Sequence, residues 1–553
     1  MRLSAAVLAA AAIQAVSAAT AEEWRSRSIY QIITDRFAPV SDTAPALTSP
    51  LPDDCDPGQQ TWCGGTWRSI IDKLDYIQNM GFDAIWISPV SRNIDVQTPY
   101  NYSYHGYWVN DPTSLNPRFG DSDDLLALSD AVHKRNMYLM VDIVVNNVPS
   151  LDNTTSQTAD ALVADDSFWQ DPSYFHPICN IDYDNQTSVE YCWLETTNVS
   201  LMDVNTENAY VISTLQSWIT SLVSTYSIDG LRIDAAKHVP GTFWPGFCGA
   251  AGVFCIGEVY TSDIGFGAEF QTEGWMDSIL GYPYYYGLMD AFSVAPMGNM
   301  SSYITIAQSV LNSFPHPEYL GNFLENHDLA RFRNLTVDPR LGQNAMVAQF
   351  LFEGMPVAYY GQEQDMAEGS RDPYNRAALW PLGYENGTTT ELILRLNTIR
   401  HKMIEQNMTW NGETYMDARS SFIAYTDYDV AIRKGPIISV LTNRGSPTQN
   451  VSFGVPSTGW ARNEAVVDLL TCNEFATGSG GSISVSYSAD GYGGLPYVFM
   501  LVSDARTLNI CTNDEMGILS GTAEVPVGAA SANFPSTAMI LAATIGAASL
   551  ALL

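Results

Sequence analysis

Asp234 and Glu258 stand 24 positions apart, each just after a short apolar run: GLRID ends at the first and VFCIGE at the second. That pattern predicts two strands ending in carboxylates, joined by one turn-and-helix crossover, as at the carboxyl edge of a parallel α/β sheet. Arg232 lies two residues before Asp234, so strand periodicity puts both side chains on one face. A guanidinium there is expected to lower the pKa of Asp234 and keep it ionised. Glu258 emerges from the apolar wall Val253-Phe254-Cys255-Ile256, where desolvation favours the protonated acid. An ionised carboxylate beside a protonated one is what cleavage of a glycosidic bond requires. A structural ion pair at a sheet rim is the competing reading of the same residues.

The strands that would carry these groups can be read along the chain. Ser28–Thr34, Phe82–Ser88, Tyr138–Val145 and Tyr319–Glu325 are β-rich apolar runs, Val357–Tyr360 another, and Gly274–Leu280 a weaker one. With the two strands above they make eight, alternating with helices such as the amphipathic stretch Trp67–Met80. The expected fold class is therefore α/β: a (β/α)₈ TIM barrel over 19–146 and 206–398. Alternation stops over the polar stretch 147–205, read as a small domain inserted after the third strand. Residues 399–512 change to short alternating runs with turn residues, which predicts a C-terminal antiparallel β-sandwich.

Composition narrows the partners. Lys+Arg 26 against Asp+Glu 60 gives a net charge of −34, which excludes nucleic acid and anionic membrane surfaces as natural partners. Residues 1–18 have a basic start at Arg2, an apolar run and small residues at Val16 and Ala18, the pattern of a cleaved signal peptide. Small residues from Gly528, a short spacer and an uncharged apolar tail predict attachment of a glycosylphosphatidylinositol (GPI) lipid at Gly528. On that reading 529–553 is the discarded propeptide and 513–528 a linker, with a plain transmembrane tail as the alternative. The chain is then expected at the cell surface or in the cell wall, as a monomer held to the membrane only by that lipid. Eight cysteines on an oxidising route read as disulfides: Cys55 with Cys63, Cys179 with Cys192, Cys472 with Cys511, and Cys248 and Cys255 left open. Nine sequons, at Asn101, Asn153, Asn185, Asn198, Asn299, Asn334, Asn386, Asn407 and Asn450, agree with secretion.

YHGYW (Tyr104–Trp108), DIVVNN (Asp142–Asn147), LMDVN (Leu201–Asn205), GLRIDAAKH (Gly230–His238), GEV (Gly257–Val259), ENHD (Glu325–Asp328) and GQEQ (Gly361–Gln364) follow one another along the chain. Together they resemble the α-amylase family of glycoside hydrolases, and secreted fungal members in particular, over roughly Trp24–Thr512. The resemblance implies a retaining mechanism on an α-1,4-glucan or maltooligosaccharide: Asp234 as nucleophile, Glu258 as acid/base, Asp328 as transition-state stabiliser. It further implies that Arg232, His327, His105, Tyr107, Trp108, Lys237, Asp372 and Arg376 contact substrate. Calcium is the implied cofactor, held by Asn146, Glu190, Asp203 and the backbone carbonyl of His238; oxygen ligands suit a hard cation.

One position departs from the family. Its third-strand motif normally ends Asn-His, whereas here it ends Asn146-Asn147. Asn147 is shorter and cannot carry a positive charge, so contacts to the sugar being cleaved are expected to weaken. A surface-anchored enzyme with that weakness resembles fungal 4-α-glucanotransferases of cell-wall α-glucan metabolism. An ordinary α-amylase with a tolerated substitution is the alternative. A non-catalytic relative of the fold is a third, and it would have lost the carboxylates that this chain keeps.

Overall fold

A computed structural model describes residues 19–40, 55–150, 168–196, 199–293, 298–446, 448, 450–487 and 493–512. The signal segment 1–18, Asn153, Asn198, the linker 513–528, Gly528 and the tail 529–553 lie outside the described residues.

Eight parallel strands form the central sheet: β1 Ile29–Ile32, β2 Ala84–Ile87, β3 Tyr138–Ile143, β4 Gly230–Ile233, β5 Phe254–Gly257, β6 Ser278–Ile279, β7 Gly321–Asn322 and β8 Met355–Tyr359. β1 pairs with both β2 and β8, while β6 ends one edge and β7 the other. A parallel bridge between Leu280 and Gly321 joins those edges and closes the barrel. All eight are buried throughout except at Tyr138, as expected of strands covered by side chains within and helices without. β6 and β7 are only two residues long, which accounts for the weak sequence signal of the sixth.

Helices on the outside follow their apolar stripes. Ser122–His133 starts at a capping box closed by Asp121 and Asp124 and buries Leu125, Leu128 and Val132. Ala209–Tyr226 is capped by Asn208 and buries Val211, Leu215, Ile219 and Leu222. The single helix expected over Trp67–Met80 is instead two, Trp67–Ile71 and Leu74–Asn79. The chain leaves helical geometry at Lys73, whose ammonium lies 4.0 Å over the ring of Tyr384.

After β3 the strand Asn147–Ser150 pairs antiparallel with Ser200–Asp203, and Cys179 is joined to Cys192 beside the short helix Gln186–Tyr191. The last long helix, Thr388–Glu405, runs past residue 398. Beyond it a six-stranded antiparallel sheet packs against the two-stranded ribbon Val451–Val455/Ile483–Tyr487, around Ile438, Val440, Phe453, Val485 and Phe499. Cys472 joins Cys511 at its edge, and Cys55 joins Cys63 near the barrel rim. Cys248 and Cys255 are free thiols. Three disulfides fit passage through an oxidising secretory route. The sequon asparagines 185, 299, 334, 386, 407 and 450 are exposed and Asn101 is half-buried. Among the described residues no helix is long and apolar enough to cross a membrane.

Candidate active site

Asp234 follows β4 directly and Glu258 follows β5, so both project from the carboxyl rim of the barrel. The turn between them is tightly constrained. Ala235 adopts φ 48°, ψ 35°, a left-handed conformation that costs a non-glycine residue about 1 kcal/mol. That bend sends the Ala235 N–H to Glu258 Oε2 at 3.1 Å. Gly257 allows close approach: a Cβ there would lie 2.6 Å from Met276 Sδ and 3.0 Å from Ala236 Cβ.

Arg232 occupies the centre. Its Nη1 donates to Asp234 Oδ1 at 2.7 Å and to both oxygens of Asp142, while Nη2 donates to Glu258 Oε2 at 2.7 Å. One cation is thus shared by three carboxylates, and the expectation that Arg232 keeps the pKa of Asp234 low is corrected. Burial pushes Asp234 well above the ordinary carboxylate range; Arg232 opposes this, and Glu258, Asp142 and Asp328 reinforce it. The second expectation changes as well. The carboxylate of Glu258 does not end in the apolar wall but meets a guanidinium and a backbone N–H, and its Oε1 accepts from the Tyr282 hydroxyl at 3.5 Å.

Asp328 lies across the site on the β7 loop. Arg376 Nη2 donates to its Oδ1 at 3.0 Å, and Nη1 of the same guanidinium lies 3.0 Å from Asp372 Oδ1. His327 accepts at Nδ1 from Gln31 Nε2 at 2.8 Å, which places its proton on Nε2. That N–H stands 3.1 Å from Asp328 Oδ2 but has no hydrogen-bond partner among the described residues, so a buried donor is left for a ligand. Tyr107 stacks on His327, with centroids 4.9 Å apart and planes 10° off parallel.

The other expected contacts divide. His105, Trp108 and Asp372 line a small cleft with Gln60, Tyr100 and Tyr102. Lys237 donates to the Tyr260 carbonyl at 2.8 Å. Asn147 is 4% exposed, opposite Asp203 in the antiparallel pair. The sequence reading assigned no role to Asp142, Trp86, Gln31 or Tyr282. Asp142 accepts from the Tyr107 hydroxyl at 2.7 Å and from Trp86 Nε1 at 3.1 Å, forming the floor of the site. Its signal was the register that sets it beside Arg232 on the neighbouring strand.

The candidate cation ligands come together in part. The Asn146 amide faces two acceptors, Asp203 Oδ1 at 3.1 Å and the His238 carbonyl at 2.9 Å. With the amide oxygen turned inward, three oxygens converge, a donor set suited to a hard cation. The other oxygen of Asp203 is held by His176 Nδ1 at 2.6 Å. Glu190 lies on the helix Gln186–Tyr191, where its carboxylate accepts from Gln186, which also donates to the Lys237 carbonyl.

Comparison with known proteins agrees with this geometry. The model of the alpha-amylase catalytic domain matches residues 31–427, and that of alpha-amylase domain C matches 422–518. Alpha-amylase 1 of Schwanniomyces occidentalis is 40% identical over 501 residues, covering 89% of this chain and 92% of that protein. Alpha-amylase mde5 of Schizosaccharomyces pombe is 41% identical over 452 residues, covering 81% and 83%. The structure of an alpha-amylase from Malbranchea cinnamomea superposes with a TM-score of 0.81 at 39% identity, covering 89% of this chain and all of the other. A barrel whose fourth, fifth and seventh strands deliver acids to one shared cluster, matched along nearly its whole length, places this chain in the alpha-amylase family of glycoside hydrolases.

Proposed function

We propose that this enzyme cleaves α-1,4-glucan by a retaining route and passes the glycosyl group preferentially to another sugar chain, as a 4-α-glucanotransferase. The observation that supports the retaining step is the single guanidinium of Arg232 bonded to both Asp234 and Glu258, which keeps the two acids close enough for double displacement. Asp234 attacks the anomeric carbon and the glycosidic bond breaks. Glu258, through its loosely held Oε1, gives a proton to the departing oxygen. Asp328 and the free His327 N–H bind sugar hydroxyls as positive charge develops on the ring. In the second half Glu258 takes a proton from the acceptor hydroxyl, which attacks and releases Asp234.

Whether water or sugar is the acceptor turns on Asn147, and its replacement of the family's His supports transfer. The relatives' names favour hydrolysis, the second reading. Product analysis separates them: incubation with one pure maltooligosaccharide should give chains longer than the donor, and only shorter products would leave hydrolysis. Glu258→Gln should cost roughly 10²–10⁴-fold in kcat; retained activity would overturn the assignment altogether.

Asn146, Asp203 and the His238 carbonyl, with Glu190 near them, would hold a calcium ion. When bound it would supply positive charge that fixes the turn after β4 beside Asp234. Cell-surface attachment through a GPI lipid, with a role in wall glucan metabolism, belongs to the same proposal.

A further inference from the structure

Tyr282 opens the helix Tyr282–Phe292 after β6 and is fully buried beside the carboxylate cluster. We propose that it is a positioning residue for Glu258: its hydroxyl attends Oε1, the oxygen that loads the acid proton, and stabilises that oxygen as the proton leaves. This rests on the retaining-glycosidase reading above.

The two oxygens of Glu258 are held differently. Oε2 accepts from Arg232 Nη2 at 2.7 Å and from the Ala235 N–H at 3.1 Å. A proton placed there would displace a charge-assisted hydrogen bond. Oε1 is therefore the oxygen that takes up and releases the proton, and it faces the Tyr282 hydroxyl at 3.5 Å.

Asn326 decides which way that hydroxyl points. Its Oδ1 accepts from the N–H groups of Asp328 and Leu329, at 2.9 and 3.0 Å. That assigns the amide orientation and turns Nδ2 to the Tyr282 oxygen, 3.1 Å away. An amide nitrogen only donates, so the Tyr282 oxygen accepts from it and keeps its own proton for Glu258. Every donor in this chain, from the backbone beside Asp328 on the β7 loop to the acid after β5, is aimed at Oε1. The ring is fixed too, edge-on to Phe323 at 4.9 Å and packed on Tyr260 at 4.6 Å. Burial, reinforced by Glu258 and Asp328 against Arg232, pushes the phenol well above its ordinary range, so it remains an O–H donor.

Such a hydroxyl treats the two states of Glu258 unequally. The protonated acid offers it a weak neutral acceptor. Once Oε1 has passed its proton to the departing glycosidic oxygen, the hydroxyl donates to a carboxylate, a bond roughly twice as strong. Only a contact that strengthens along the reaction speeds the step. The long separation in the empty site leaves room for it to tighten when sugar binds.

Tyr282→Phe removes the hydroxyl and keeps the ring. The test compares kcat/KM of the full chain on maltoheptaose, whose leaving alcohol needs a proton, and on α-maltotriosyl fluoride, whose fluoride departs without one. About a tenfold loss is expected on maltoheptaose, the effect of one charge-assisted hydrogen bond, and no change on the fluoride. Both donors are measured on one preparation, so any inactive fraction cancels in the ratio. Equal losses on both donors, or none on either, would overturn the role of Tyr282 and leave Glu258 as the acid. Glu258→Gln should separate the two donors more widely. If it does not separate them, the acid assignment itself falls.

Discussion

Asp142 and Arg232 are register partners on adjacent parallel strands, and Nη1 of Arg232 stands 2.9 Å from one Asp142 oxygen and 3.0 Å from the other. The cation bonded to Asp234 and Glu258 is therefore anchored from below by a third carboxylate. Burial pushes Asp142 up to about 6, against the pull of Arg232, Tyr107 and Trp86. The negative charge of Asp142 also raises Asp234.

Asp142→Asn should consequently move the acid limb of the kcat/KM profile to lower pH, by about one unit. The sign follows from the proposed role of Asp234 as an ionised nucleophile, whose activity would be lost as pH falls through its pKa. Removing a like charge and freeing Arg232 both lower that pKa, so the loss comes at lower pH. The limb belongs to the carboxylate cluster rather than to one residue. A limb that stays in place or moves upward would refute the shared-cation account.

Asn147→His should raise the ratio of hydrolysis to transfer by about tenfold, the effect of one added transition-state hydrogen bond. Asn147 is 4% exposed and fixed opposite Asp203 by strand pairing, so the larger ring needs local room. An unchanged thermal midpoint would show that the fold accepts it. Chain-length analysis of the products then reads the ratio, and no change would make Asn147 incidental.

Lys434→Met should destabilise the junction between barrel and C-terminal sheet. Lys434 Nζ lies 2.6 Å from Glu353 Oε2, both side chains are 4% exposed, and the same ammonium donates to the Ala418 carbonyl at 2.9 Å. Deleting one partner of a buried pair strands the other charge, at about 3–5 kcal/mol. The paired variant Lys434→Met/Glu353→Gln should recover part of that loss in chemical denaturation. Equal losses in the two proteins would mean that the pair is not coupled.

How far the sequence reached can be judged from these residues. Asp234, Glu258 and Asp328 were legible because each ends a recognisable strand or motif, and strand ends are where a barrel exposes chemistry. The electrostatics were less so. Sequence spacing joined Arg232 to Asp234, but only strand register reveals that Asp142 and Glu258 compete for the same guanidinium. Gln31 fixes the tautomer of His327 from 296 positions away, and no local pattern records that contact. The proposed cation ligands are similarly scattered. A single Asn, Asp and carbonyl from three segments make no motif, and among the described residues no cluster of three or more His, Cys, Asp or Glu marks a metal site.

That scattered set leads to the last prediction. Burial pushes Asp203 up to about 7, with His176 pulling the other way, so without a cation the buried carboxylate tends to take a proton. A bound calcium ion would reverse that preference, and ligand present at a hundred times its Kd stabilises by about 2.7 kcal/mol. Chelation should therefore lower the thermal midpoint by a few degrees, and added calcium should restore it. Because ligation needs the ionised carboxylate, the chelator's effect should shrink as pH falls through about 7. Asp203→Asn should lower the midpoint by itself and leave chelator with little more to remove. If chelator leaves the native enzyme's midpoint unchanged, the oxygens of Asn146, Asp203 and His238 hold the turn after β4 by hydrogen bonds alone, through the Asn146 amide nitrogen turned toward its two acceptors.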